Sequence, residues 1–140
     1  GSTFSGTAIA TSAARATIKE MQRLKAPQMA VDKGALLTSL VQAIPQVVSV
    51  RGRGLLLGVE LAFGIDARDI QLQLLKNGLV TNAVTGTALR LAPPLTVTPD
   101  EIREAVAIIA AALNGVQSCA IAISCTHTTS QQQSWAVCLR

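Results

Sequence analysis

Apolar positions recur at helical spacing in four segments of the chain. The predicted helices cover residues 7–24, 30–44, 66–76 and 99–113. The last has the clearest start, because Thr98 can cap it, Pro99 suits the first helical position and Glu101 stands three residues after the cap. Pro45 ends the second helix, and Asn77-Gly78 is typical of a helix end.

Between these helices the pattern changes to short runs typical of strands. Residues 47–50, 55–61, 79–84 and 88–92 are predicted strands, and the glycines of residues 51–54 (RGRG) suit a turn or bulge, with the arginines pointing outward. The order is helix, helix, strand, strand, helix, strand, strand, helix. It predicts an α+β fold in which helices pack on a small, mainly antiparallel sheet.

Composition narrows the class of protein. A chain of 140 residues suits one domain, and its core must be aliphatic because only 2% of the residues are aromatic. The net charge is +4, but Lys and Arg are scattered, which argues against a nucleic-acid partner. The longest apolar stretch, residues 105–113, is too short to cross a membrane. The cysteines do not indicate a disulfide framework, so a cytoplasmic location is expected.

Residues 114–140 differ from the rest, since no Asp, Glu, Lys or Arg occurs from residue 105 to residue 139. We expect this segment to be an unassigned, poorly ordered tail. Cys119, Cys125, His127 and Cys138 could supply four zinc ligands, but they lack a closely spaced cysteine pair. We therefore predict no metal site.

Three motifs, taken in order, resemble one known family. Residues 1–6 (GSTFSG), 50–58 (VRGRGLLLG) and 89–95 (LRLAPPL) are similar to the closing third of class III pyridoxal-phosphate aminotransferases, acetylornithine aminotransferases above all. The resemblance implies the small C-terminal domain of a fold-type I pyridoxal-phosphate (PLP) transferase. It further implies a cofactor-phosphate loop at residues 1–7 and the small domain at residues 8–113.

The resemblance assigns candidate site residues. It implies that the Thr3 hydroxyl, with Ser2 as a weaker companion, contacts the cofactor phosphate in the partner subunit of a homodimer. A hydroxyl in a loop before a helix N-terminus suits a dianion. It also implies that Arg90 binds the substrate α-carboxylate as a bidentate donor. From the residues alone, an ordinary loop and a solvated arginine stay open. Residues 5–8 (SGTA) replace the family's usual Gly-Gly-Asn-Pro.

The resemblance also implies that the lysine that forms the cofactor Schiff base lies upstream of Gly1, so no catalytic residue is assigned. Lys19, Lys25, Lys33 and Lys76 fall on or beside predicted helices and are expected to be solvated. The chain by itself is predicted to be inactive.

The expected activity of a complete parent chain is amino transfer between N-acetylornithine, or a similar ω-amino donor, and 2-oxoglutarate in arginine biosynthesis. Ornithine and 4-aminobutyrate aminotransferases are alternatives within the enzyme class. A different kind of alternative is a non-catalytic dimerisation or interaction module derived from such a small domain.

Overall fold

The computed structural model describes residues 3–4 and 6–125, with side chains described as far as residue 116. The helices are α1 (Ala8–Arg23), α2 (Ala26–Gln42), α3 (Ala67–Lys76) and α4 (Pro99–Cys125), and the strands are β1 (Val47–Arg53), β2 (Leu56–Leu61), β3 (Asn82–Ala83) and β4 (Ala88–Leu91). The predicted order of elements is confirmed.

The four strands form one antiparallel sheet in the order β1-β2-β4-β3. Side chains alternate between its two faces, as they must along a strand. Leu57, Val59, Leu89 and Leu91 are buried on one face. The helices α2, α3 and α4 and the segments that connect the elements contribute to the same core. The predicted α+β class is therefore confirmed.

A close backbone approach fixes α2 against the sheet. A β-carbon added to Gly34 of α2 would lie 2.2 Å from the carbonyl oxygen of Gly54, which forms the turn between β1 and β2. Only glycine allows this distance, and Gly54 itself has a φ of 56°. The pair of glycines therefore sets how closely α2 lies against the β1–β2 hairpin.

Side-chain caps begin two helices where the sequence predicts them. Asp66 accepts a hydrogen bond from the Arg68 amide at 2.7 Å at the start of α3. At the start of α4, the Glu101 amide donates to the Thr98 hydroxyl at 3.3 Å, and the Thr98 amide donates to Glu101 Oε2 at 2.7 Å. These bonds satisfy backbone donors that the first helical turn leaves unpaired.

Several boundaries differ from the sequence predictions. The α2 helix starts at Ala26, because Pro27 lies in the first turn, where no amide donor is needed. The β1 strand continues through Gly52 to Arg53, so the turn follows at Gly54. The β3 strand contains only Asn82–Ala83, the two residues that pair with β4.

The α4 helix also runs past the predicted end at residue 113, to Cys125. No proline interrupts residues 114–125, and Ala and Ile continue the apolar character. The part of the expected tail up to Cys125 is therefore helical. Residues 126–140 lie outside the described residues.

Candidate functional site

The sheet face opposite the helices carries the candidate site. Arg90 of β4 is exposed between buried Leu89 and Leu91, as predicted. Its register partners are Gly58 on β2 and Asn82 on β3, and Gly58 in turn pairs with Arg51 on β1. Paired residues of antiparallel strands share a face. Arg51, Gly58, Arg90 and Asn82 therefore form one row across the open face, which we call the Arg90 row.

The two arginines of the Arg90 row are in different electrostatic states. The Arg51 guanidinium forms an ion pair of 3.0 Å with Glu60, whose other carboxylate oxygen accepts from the Thr87 hydroxyl at 2.6 Å. Arg90 makes no ion pair or side-chain hydrogen bond with any residue whose side chain the structure describes. A planar guanidinium in this state can receive a carboxylate through two parallel hydrogen bonds.

The motif comparison did not reveal Glu60, Thr87 or the position of Gly58 beside Arg90. The Glu60 side chain on β2 meets that of Thr87, which lies just before β4 and 27 positions further along the chain. The only available signal was strand alternation, which places Gly58 and Glu60 on the face opposite Leu57 and Val59. The register that joins β2 to β4 could not be read from one sequence.

Thr3 lies in an exposed turn just before α1, and Ser2 lies outside the described residues. The Thr7 amide donates to the Phe4 carbonyl at 3.3 Å, and the Thr7 hydroxyl caps α1 by accepting from the Ala10 amide at 3.4 Å. The first turn of α1 contains no acidic residue. A hydroxyl and a helix N-terminus without nearby carboxylates are compatible with a phosphate.

The structure does not bring Thr3 and Arg90 into one site. The α1 helix has no buried residue, and its main neighbour is α2. Arg90 belongs to the open face of the sheet. Within this chain the two candidate residues therefore lie on separate surfaces.

The lysines occupy positions on or beside helices, in agreement with the sequence prediction. Lys19, Lys25 and Lys76 are exposed. Lys33 donates from Nζ to the Leu95 carbonyl at 2.8 Å, which ties α2 to the loop before α4.

The other places in the described structure that could form a site have less support from their side chains. A cavity of about 500 Å³ is lined mainly by apolar groups between α2, α4 and the segments before and after β4, and it includes Leu91, so it lies on the core side of the sheet. The residues that the structure describes contain no group of three metal-binding side chains. The side chains of Cys119, Cys125, His127 and Cys138, which were considered as zinc ligands, are not among those that the structure describes. No helix in the described ranges is sufficiently long and apolar for a membrane span.

The structure described so far is an α+β domain. Its open sheet face carries an arginine that has no ion-pair partner among the described side chains. The family model of aminotransferase class III matches residues 1–113. The chain is 39% identical over 113 residues to an acetylornithine aminotransferase of Corynebacterium efficiens, which covers 81% of this chain and 28% of the relative. It is 35% identical over 111 residues to ornithine aminotransferase 1 of Staphylococcus saprophyticus, covering 78% and 28%.

A solved structure shows the same fold. It is an ornithine aminotransferase from Toxoplasma gondii, crystallised in presence of oxidized glutathione, with partial occupancy of PLP at its active site. Its TM-score is 0.73 at 30% identity, and the match covers 84% of this chain and 29% of that one. The chain therefore belongs to the class III aminotransferase family, and its fold is that of the small domain of fold-type I enzymes. It spans less than a third of the length of these relatives.

Proposed function

We propose that this chain is the C-terminal part of a PLP-dependent aminotransferase that moves an amino group between N-acetylornithine, or a similar ω-amino donor, and 2-oxoglutarate. The observation that carries the proposal is Arg90. It is an exposed guanidinium without an ion-pair partner among the described side chains, on the open face of a domain whose first 113 residues match the family.

Arg90 is proposed to bind the carboxylate next to the reacting carbon of 2-oxoglutarate. The glutamate formed from it keeps this group, so a single bidentate donor can orient both the oxo acid and its amino-acid product. The neighbouring Arg51 is less suited, because Glu60 already occupies its guanidinium at 3.0 Å.

The cofactor of such an enzyme is PLP, which would supply an electron sink for the pair released at the carbon that bears the transferred amino group. Thr3 is proposed to hold its phosphate, together with Ser2. The exposed hydroxyl and the acid-free first turn of α1 fit a dianion. The chain's lysines lie on or beside helices. We propose that the covalent lysine belongs to another part of the parent protein and that the present chain alone is inactive.

The parent is proposed to be a homodimer of the cytoplasm that acts in arginine biosynthesis, with Thr3 reaching the partner subunit's site. Amino donors other than N-acetylornithine stay open, and ornithine has specific support because a relative named ornithine aminotransferase is 35% identical. A non-catalytic module would have no need for an unpaired Arg90 or an exposed Thr3.

A kinetic experiment tests the role of Arg90 in the complete enzyme. We expect Arg90→Lys to lower kcat/KM by an amount that corresponds to a loss of about 1–3 kcal/mol of transition-state stabilisation. The reason is that lysine cannot form the two parallel hydrogen bonds of an arginine. Initial rates with N-acetylornithine, ornithine and 4-aminobutyrate, each with 2-oxoglutarate, measure both the loss and the donor preference.

Arg53→Lys is the matched control. Arg53 is an exposed arginine at the end of edge strand β1, paired with Leu56 rather than with a residue of the Arg90 row. Its substitution should leave the kinetics unchanged. Equal kinetics for Arg90→Lys and the native enzyme, with every donor and with the oxo acid, would remove Arg90 from the site.

A further inference from the structure

The Arg90 row contains one position without a side chain. Gly58 lies between Arg51 and Arg90, and both neighbours are its register partners on the adjacent strands. Directly opposed residues in an antiparallel pair have β-carbons about 5 Å apart. A side chain at residue 58 would therefore stand beside the base of the Arg90 side chain, on the same open face.

The backbone does not require glycine at this position. Gly58 is absent from the residues with positive φ among those that the structure describes. An added β-carbon would meet its nearest atoms, the carbonyl oxygen and Cγ of Arg51, at 3.7 and 3.8 Å. These are ordinary van der Waals distances. In a strand, β-branched residues are also preferred over glycine. Gly58 therefore contrasts with Gly34, where a β-carbon cannot fit.

Among the described residues other than the chain neighbours of Gly58, Arg51 supplies the two atoms within 4 Å of the β-carbon position of Gly58, and Arg90 supplies none. Glu60 holds the Arg51 guanidinium through the 3.0 Å ion pair, and Thr87 holds Glu60 in turn. On the opposite side of Arg90 stands Asn82, an exposed amide at the β3 edge. The row thus presents an engaged cation, an open position, an unpaired cation and an amide.

From this arrangement we propose that Gly58 is a specificity-determining residue: the open position beside Arg90 receives the α-carboxylate of 2-oxoglutarate and of the glutamate formed from it. This inference rests on the proposed function, because it requires that Arg90 bind the carboxylate. Gly58 contributes because it has no side chain. A side chain larger than a methyl group at this position should block the approach of the carboxylate to the Arg90 guanidinium.

The test uses the complete enzyme with Gly58→Ala, Gly58→Val and Arg90→Lys. We expect Gly58→Val to raise KM for 2-oxoglutarate, with a loss of at least about tenfold in kcat/KM for this oxo acid. Gly58→Ala should lose no more than about threefold, since one methyl group leaves most of the space open. The melting temperature of Gly58→Val should equal or exceed that of the native enzyme, because valine favours a strand.

Ser49→Val is the matched control. Ser49 is exposed on the same face in β1 and pairs with Glu60, so its new side chain is two strands from β4. It ends with the same valine side chain on the same sheet face, away from Arg90, and should leave KM for 2-oxoglutarate unchanged.

The outcomes separate this inference from the proposed function. If Arg90→Lys lowers kcat/KM and Gly58→Val does not, the role of Gly58 is overturned while that of Arg90 stands. If neither substitution changes the kinetics, the carboxylate site fails and the inference fails with it. A loss in Gly58→Val that is matched by Ser49→Val, or that accompanies a fall in melting temperature, assigns the effect to the sheet and also overturns the inference.

Discussion

The Glu101 carboxylate is hydrogen-bonded to Thr98, the residue just before α4 begins. Its Oε2 accepts from the Thr98 amide at 2.7 Å and from the Thr98 hydroxyl at 2.9 Å. The bond from the Thr98 amide, with a smaller effect from the hydroxyl, lowers the pKa of Glu101 below its ordinary value. The unfolded chain has a glutamate pKa of about 4.3.

This lowered pKa predicts a pH dependence of stability. The contribution of Glu101 is complete above the unfolded pKa and is lost as the pH falls through the lower, folded pKa, because the unfolded chain then binds the proton more readily. We expect Glu101→Gln to be less stable than the native chain at pH 7 and to show a smaller decrease in stability below about pH 5. Urea unfolding at several pH values, followed by circular dichroism, measures this difference.

Glu104→Gln is the control, because Glu104 is an exposed carboxylate of the same helix and makes no hydrogen bond with the side chains or backbone that the structure describes. An identical pH profile for Glu101→Gln and the native chain would show that the bond to Thr98 has no energetic weight.

At the level of single residues, the sequence was informative wherever the chemistry is local. The capping pair spans three positions, so Thr98 and Glu101 could be paired by spacing alone. The outward direction of Arg90 followed from strand alternation. The engagement of Arg51 by Glu60 and the position of Gly58 beside Arg90 depend on strand register, which one sequence does not specify.

At the level of elements, the contact between α2 and the β1–β2 turn gives a prediction about packing. We expect Gly34→Ala to destabilise the chain by about 1–3 kcal/mol, because the new methyl group would lie 2.2 Å from the Gly54 carbonyl oxygen and must displace the helix. This effect opposes the gain of up to about 1 kcal/mol that alanine brings to a helix interior. Urea unfolding measures the free energy of unfolding.

Gly115→Ala is the matched control in another helix. Apart from its chain neighbours and the nearby backbone of α4 itself, no described atom lies within 4 Å of the β-carbon position of Gly115, so this variant should show only the helix-propensity gain. The two substitutions are chemically identical and should therefore change stability in opposite directions. A gain in both would mean that α2 can move away from the turn at little cost.

Some boundaries of the helices and strands could be predicted from the sequence, and others could not. Predicted helix ends were right where a capping residue or a turn glycine marks them, as at Asp66 and Gly78. They were wrong at Ala26, because the helix was predicted to begin at residue 30 and the first turn, which contains Pro27, was left out. The extended β1 was also missed, since a glycine that allows close backbone contact and one that forms a turn look alike in sequence.

At the scale of the whole molecule, α1 is the helix that packs least against the rest of the chain. Its 16 residues bury no side chain, and it joins the domain at α2. At 1.5 Å per residue the helix is about 24 Å long, so the turn that carries Thr3 stands well away from that junction. This geometry suits the proposal that Thr3 acts in the partner subunit's site while Arg90 serves its own.

The two placements predict complementation between defective subunits of the complete enzyme. In a heterodimer of one Thr3→Val chain and one Arg90→Gln chain, one site would combine an intact Arg90 with the partner's intact Thr3, and the other site would lack both. We expect this heterodimer, purified through two different tags, to recover about half of the native activity, whereas each mutant homodimer stays well below that level. A heterodimer of the native chain with Arg90→Gln calibrates the activity of one intact site. If Thr3 and Arg90 instead act in the same subunit, every site in the mixed dimer carries one defect. Its activity would then be no higher than the mean of the two mutant homodimers, and the exchange of Thr3 between subunits would be ruled out.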